Sequence, residues 1–228
     1  MSFELTWLGH ASWSMKLGDT NVLLDPFITD NPSANCKADE LAADYILVSH
    51  GHFDHVADVA SIANRTGATV IAIYEIAEWF RTKQQVEKTL GMNLGGGTNL
   101  PFGRVTMTPA FHSSQLPDGS YGGNPAGFVI EAEGKRVYFA CDTALFSDMQ
   151  LIGARGIDLA ILPIGDLFTM GPDDSVAATK LINPKKVAPT HYNTWPPIEQ
   201  DATKWADQIR DQTDAEPIVP EVAKPLSL

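Results

Sequence analysis

The stretch DYILVSHGHFDHVAD, residues 44–58, runs from a short apolar segment straight into three histidines and two aspartates. The chain holds only six histidines, so half of them stand within six positions. YILV is the kind of run shown by a strand covered on both faces. Val56, Val59, Ile62 and Ala63 then recur on one helical face from His55 to Arg65, and Gly67 stands where a C-terminal cap belongs. The cluster therefore lies at a strand-to-helix junction. Side chains two apart share a face of an extended backbone, so His50, His52 and Asp54 point to one side while the turn into the helix swings His55 round. Four titratable groups crowded at one strand exit repel or lose solvation unless a cation joins them. A catalytic ion keeps about three protein ligands and an open position, so four donors overfill one ion and underfill two.

Outward from the junction, three further donors stand at strand ends: His112 after RVTMTPAF, Asp142 after RVYFAC, and His191 after KVAPT. Taken singly, each has an ordinary structural reading, a hydrogen-bonded histidine or a helix-capping aspartate. Together with the run they give seven donors, enough for two ions sharing a carboxylate. Elsewhere, Phe3, Leu5 and Trp7 alternate with polar neighbours, and SWSMKL and NVLLD flank Gly18-Asp19, which predicts an antiparallel opening. TVIAIY reads as a buried strand, EIAEWFRTKQQVEK as an amphipathic helix, and Gly95 to Gly97 as a loop. GFVIEA and RVYFACD form a hairpin around Glu133-Gly134-Lys135. A short helix near Ser147 to Ile152, the strand DLAILPIG, a helix from Asp173 to Ile182, the strand KVAPTH and the helix DATKWADQIRDQ follow, before a Pro-rich tail. Strands alternate with helices, and a strand ends on histidine near both 50 and 191, which suggests two similar halves within one domain over 1–228.

Composition narrows the function. A net charge of −12 without a cluster of Lys and Arg argues against a nucleic-acid partner. No apolar run is long enough to cross a bilayer, and the N-terminus lacks the basic and apolar regions of a signal peptide. Cys36 and Cys141 have neither metal-type spacing nor disulfide-scaffold density, so both are expected as free thiols in a cytoplasmic protein. Strand alternation places Cys141 toward the core if Asp142 faces the metals. The triple glycine lacks the Lys and Ser/Thr of a phosphate loop, and no G-x-S-x-G elbow is present.

The H-x-H-x-D-H of His50 to His55, with the later His112, Asp142 and His191, strongly resembles the metallo-β-lactamase superfamily. That resemblance implies one metal on His50, His52 and His112, a second on Asp54, His55 and His191, and Asp142 bridging. It also implies an α/β four-layer αβ/βα sandwich, two facing mixed sheets with helices outside and metals at one edge. TWLGHAS, FHSS, GNPAGFVI, GDLFTMGP and THYNTWPPI look like the small stand-alone hydrolases related to L-ascorbate-6-phosphate lactonase. The expected activity is hydrolysis of an ester, lactone, amide or phosphodiester of a small intracellular substrate by a metal-bridging hydroxide, with Asp54 shuttling the proton. Zinc is the expected ion, with manganese and iron as alternatives. His10 is assigned to the substrate or to orienting a ligand, Asn193 and Tyr192 to an oxyanion, and Asp166 to orienting an imidazole. A di-iron oxidoreductase and a non-catalytic metal binder are the rival readings. Relatives with iron pairs usually carry an acid where His52 stands, together with a flavin module. Oligomeric state is left open.

Overall fold

A computed structural model describes residues 3–228, and its strands form two seven-stranded sheets. The first sheet is laid down by β1 (Phe3–Gly9), β2 (Ser12–Leu17), β3 (Thr20–Leu24), β4 (Tyr45–Leu47), β5 (Thr69–Ile73) and β6 (Thr89–Met92). The second takes β7 (Gly97–Leu100), β8 (Gly103–Pro109), β9 (Ala126–Ala132), β10 (Lys135–Phe139), β11 (Leu159–Pro163), β12 (Lys186–Thr190) and β13 (Glu216–Pro217). A last strand, β14 (Pro225–Ser227), returns to pair antiparallel with β1. Each sheet is antiparallel through its opening strands and parallel through its closing ones, with the change at β3 and at β10. The recurring pattern of the two halves is thus a recurring strand order.

The reason for this order lies in burial. β1 alternates buried and half-buried residues at its start, as an antiparallel strand with one face toward solvent does, whereas all five residues of β11 are buried. Parallel strands need crossovers, and these are α2 (Val59–Thr66) and α3 (Tyr74–Lys83) on the first sheet and α5 (Pro172–Ile182) and α6 (Ala202–Gln212) on the second. The inner faces meet through large aromatic side chains. Trp13 of β2 lies with its ring centroid 6.1 Å from that of Phe139 of β10, and its indole N–H donates to Thr190 Oγ1 at 3.1 Å. This is the expected sandwich of two facing mixed sheets, with helices on the outer faces.

Several boundaries differ from the sequence reading. The single helix expected from His55 to Arg65 is two, α1 (Phe53–Val56) and α2, broken at Ala57-Asp58. The break has a cause. Asp58 turns its carboxylate away to accept from Ile28 N, Thr29 N and Thr29 Oγ1 at 2.6–2.8 Å, pinning the loop after β3. The helix expected to reach Lys88 stops at Lys83, where Gln85 takes a left-handed φ of 57° and turns Val86 into the core. Residues 89–92 then add β6, Gly97 opens β7 rather than lying in a loop, and the Pro-rich tail carries β13 and β14. The expected hairpin stands, with positive φ at both Glu133 and Gly134. A short α4 covers Met149–Gly153.

Candidate metal centre

All six histidines of the chain meet at one end of the two sheets. The extended backbone expected from His50 through Asp54 ends at His52, which has β geometry and precedes the first turn of α1. Asp54 and His55 therefore reach the site from a helix, not from an alternating strand. His112 follows β8 by three residues, and Asp142 follows β10 by the same number, so both sit on loops just beyond their strands. His191 directly follows β12.

Three ring nitrogens converge first. His52 Nδ1 lies 3.0 Å from His50 Nε2 and 3.3 Å from His112 Nε2. A tetrahedral ion with bonds of about 2.0–2.1 Å spaces its nitrogens about 3.3 Å apart, so the three fit one ion. Beside them, Asp142 Oδ2 lies 3.9 Å from His50 Nε2, 3.7 Å from His112 Nε2, 3.4 Å from His55 Nε2 and 3.0 Å from His191 Nε2. Asp54 Oδ2 is 3.8 Å from His55 Nε2 and 3.9 Å from His191 Nε2. Asp142 is thus the one carboxylate in reach of both groups of imidazoles. His55 Nε2, both ring nitrogens of His191 and Asp142 Oδ1 are buried without a hydrogen-bond partner. The ring nitrogens His55 Nε2 and His191 Nε2 face Asp142 without being aligned on it, which costs roughly 1–3 kcal/mol per group unless a cation accepts them, whereas His191 Nδ1 lies on the other edge of its ring, toward Gly165. The donor set, imidazole and carboxylate only, suits a borderline divalent ion.

Charge leads to the same place. Burial opposes a proton on His55, yet Asp142, Asp54 and Asp25 outweigh it and push its pKa well above the usual imidazole value. Burial would raise Asp142, but His191 and His55 hold it well below the usual carboxylate range. Asp54 is held below that range in the same way, by His55 and by its hydrogen bond from His10. His50 is driven well below the usual imidazole value by burial and by His55. Asp142, Asp54 and Asp25 thus favour positive charge at this point, the position a metal cation would take.

Behind the donors stands a layer that fixes their orientation. His10 is fully buried; its Nε2 pairs with Asp54 Oδ2 at 2.9 Å and its Nδ1 with Thr194 Oγ1 at 2.8 Å. Burial lowers its pKa to about 4, so it is neutral, with Thr194 donating to Nδ1 and Nε2–H donating to Asp54. Both nitrogens are thus engaged, and His10 does not line the cleft above the donors. Asp25 was not singled out in the sequence. It accepts from His55 Nδ1 at 2.8 Å and from Ser49 N at 2.7 Å, aiming His55 Nε2 at the site. Its signal is the acid directly after the apolar Val22-Leu23-Leu24, a strand-exit position like those of the proposed ligands. Ser49 also sits 3.0 Å from His50 Nδ1.

The remaining residues lie elsewhere. Asn193 is exposed, accepts from Gln200 N at 2.7 Å, and does not line the cleft. Tyr192 is buried and stacks on Trp7 at 5.3 Å. Asp166 is exposed and caps a turn through Thr169 N. Cys141 is buried in the core as expected, but through a left-handed φ of 55° beyond the strand rather than through alternation. Burial pushes its thiol well above the usual range. The cleft over the donors measures about 500 Å³ and exposes part of His52, His112 and Asp54.

Residues 20–192 match the family model described as the beta-lactamase superfamily domain. The chain belongs to the beta-lactamase superfamily. Among its relatives, a UPF0173 metal-dependent hydrolase of Thermus thermophilus is 48% identical over 209 residues, 92% of each chain. A UPF0173 metal-dependent hydrolase of an Exiguobacterium species is 48% identical over 210 residues, 90% of this chain and 93% of that one. Among solved structures, Igni18, a metallo hydrolase of Ignicoccus hospitalis, superposes with a TM-score of 0.89 at 33% identity, covering 100% of this chain and 99% of that one. This superfamily member is accordingly a metal-dependent hydrolase. No helix among the described residues is long and apolar enough to cross a membrane.

Proposed function

We propose that the chain is a dinuclear hydrolase of small molecules, with His50, His52 and His112 on one divalent cation, Asp54, His55 and His191 on a second, and Asp142 between them. The convergence of seven donors, among whose atoms His55 Nε2, His191 Nε2 and Asp142 Oδ1 are buried without a partner, carries this reading. Zinc suits the donor set, with manganese and iron as alternatives. Bound there, a cation pair supplies an activated water and a Lewis acid for the substrate's carbonyl or phosphoryl oxygen. The protein's own part is to hold and move a proton. His10 fixes Asp54 Oδ2, which leaves Oδ1 to take the proton of the attacking water and return it to the leaving group. The scissile bond is an ester, lactone, amide or phosphodiester, and a cleft of about 500 Å³ admits a small substrate from the cytoplasm.

Elemental analysis of the purified protein, combined with a screen of model esters, lactones and phosphodiesters, tests the reading. Two ions per chain are expected, with turnover at least about a hundredfold lower in His52→Ala. One ion per chain, or turnover indifferent to loss of His52, overturns it.

A further inference from the structure

Any group that reaches the donors must cross a rim that hydrolysis itself does not require. Around His52, Asp54, His112, Asp142 and His191 stand Phe53, Leu116, Pro117, Phe168 and Trp195. Phe53 is 59% and Phe168 55% exposed, so these rings are not spent on the core. Trp195 is fixed from behind, its ring centroid 4.9 Å from His10, 6.0 Å from Phe27 and 6.1 Å from Phe53. The aromatic ridge is therefore tied to the residue that orients Asp54. On its far flank a second hollow of about 430 Å³ shares Phe53 and Trp195, so the ridge offers apolar surface on both sides.

Charge is as informative as shape. None of the described residues lining the cleft is Lys or Arg, and beyond the donors its polar side chains are Ser113 and Gln115. On the neighbouring loop Asp118 accepts from Trp79 Nε1 and Ser120 N and does not line the cleft. A phosphate remote from the scissile bond needs a basic or multiply donating partner, and the lining away from the metal donors supplies none. A charge on the reacting centre itself would face the metal donors and is a separate matter.

We propose that the non-reacting part of the substrate is an uncharged apolar acyl or aryl group seated on Phe53, Phe168 and Trp195, not a phosphorylated sugar. The inference rests on the hydrolase reading for the position of the scissile bond. It makes Phe53 and Phe168 specificity-determining residues.

The test uses the metal-loaded protein and two series of probes. Nitrophenyl esters from acetate to octanoate, and an octanoate analogue ending in phosphate, report turnover. Alkyl hydroxamates of the same lengths, with and without a terminal phosphate, report binding by calorimetry without turnover. The expected kcat/KM rises about fourfold per methylene until the cleft is full. Hydroxamate affinity follows the same order, and the phosphate-tailed members fall below their neutral partners. Phe53→Ala and Phe168→Ala, both at exposed positions, flatten the two series. Phe168→Lys moves the preference toward the phosphate-tailed probes by about tenfold. A flat binding series in the unaltered protein, or a preference for the phosphate tail, overturns the inference. Binding that lengthens with the chain while no ester turns over leaves the apolar seat standing and sinks the hydrolase reading. Turnover with no chain-length preference does the reverse. Light scattering on the same samples distinguishes one further outcome: a dimer that Phe168→Ala dissociates, with flat series, assigns the rim to a second copy and overturns the inference.

Discussion

Replacing Asp25 by Asn isolates the layer behind the donors. Asp25 is fully buried directly after β3 with φ 45°, a left-handed conformation that Asn tolerates, so the backbone has no reason to move. In the native chain its two oxygens accept from Ser49 N, Ser49 Oγ and His55 Nδ1. An amide has one acceptor oxygen. If that oxygen keeps the Ser49 N–H, the NH₂ faces His55 Nδ1, and the ring must take its proton onto Nε2 to accept. Nε2 is the atom that the centre needs bare. A cation then competes with a proton for it, and loss of such an orienting partner weakens metal binding by about 10- to 100-fold, roughly 1.4–2.7 kcal/mol. Titration of the metal-free protein against a fluorescent chelator at fixed pH resolves the two stepwise constants. The step assigned to Asp54, His55 and His191 should weaken by that factor, and the other by no more than about threefold. Two unchanged constants, or an equal loss in both, would refute the assignment of Asp25 to His55.

Gly51 stands between two proposed ligands, and a Cβ there would come within 3.1 Å of the Gln115 carbonyl carbon and 3.2 Å of its oxygen. Gly51→Ala should therefore fold while displacing the histidines by a few tenths of an ångström, lowering kcat/KM by about ten- to a hundredfold; an unaltered rate would show that the loop gives way freely. Removing metal should lower the melting temperature. At a hundredfold excess over Kd each ion contributes about 2.7 kcal/mol, and a chain of this size loses about 2–4 °C per kcal/mol, so calorimetry with chelator should show a fall of about 5–10 °C per ion. A melt unmoved by chelator would leave the orphaned imidazoles without a cause.

The clustering of the proposed donors was readable because its signal is local and chemical: four ionisable groups at one strand exit have few stable explanations without a cation. The alternation of apolar strands and amphipathic helices likewise showed the antiparallel opening and the strand-helix units that follow it, since burial on both faces erases polar positions from β4 and β11. What failed to show was decided at a distance. Asp58 breaks the expected helix because it serves the loop at Ile28 and Thr29, thirty positions upstream, and no helical pattern reports that. Asp25 acts on His55 across the same interval. The tail pairs with β1 from the opposite end of the chain, and Asn193, which follows a proposed ligand, turns away to bind Gln200. Adjacency to a ligand in sequence thus says little about adjacency to the substrate.

Backbone conformation at the strand ends supplies the rest. His10, Asp25, Cys141 and His191 all take left-handed φ between 45° and 55°, where a residue with a Cβ pays about 1–2 kcal/mol. None is glycine, so no turn signal in the sequence announces them. Each lies just past a strand, where continued pleating would send successive side chains to opposite faces; a left-handed residue instead redirects them over the sheet edge, toward the other sheet. The cost is met by hydrogen bonds specific to the site. The His10 carbonyl alone accepts from Trp7 Nε1, Thr190 Oγ1 and His191 N at 2.8–3.0 Å, and so ties β1 of one sheet to the end of β12 in the other. The centre is therefore assembled by the same contacts that hold the two sheets in register. His10 and Asp25, neither of which is a proposed ligand, become as necessary to its geometry as the seven that are.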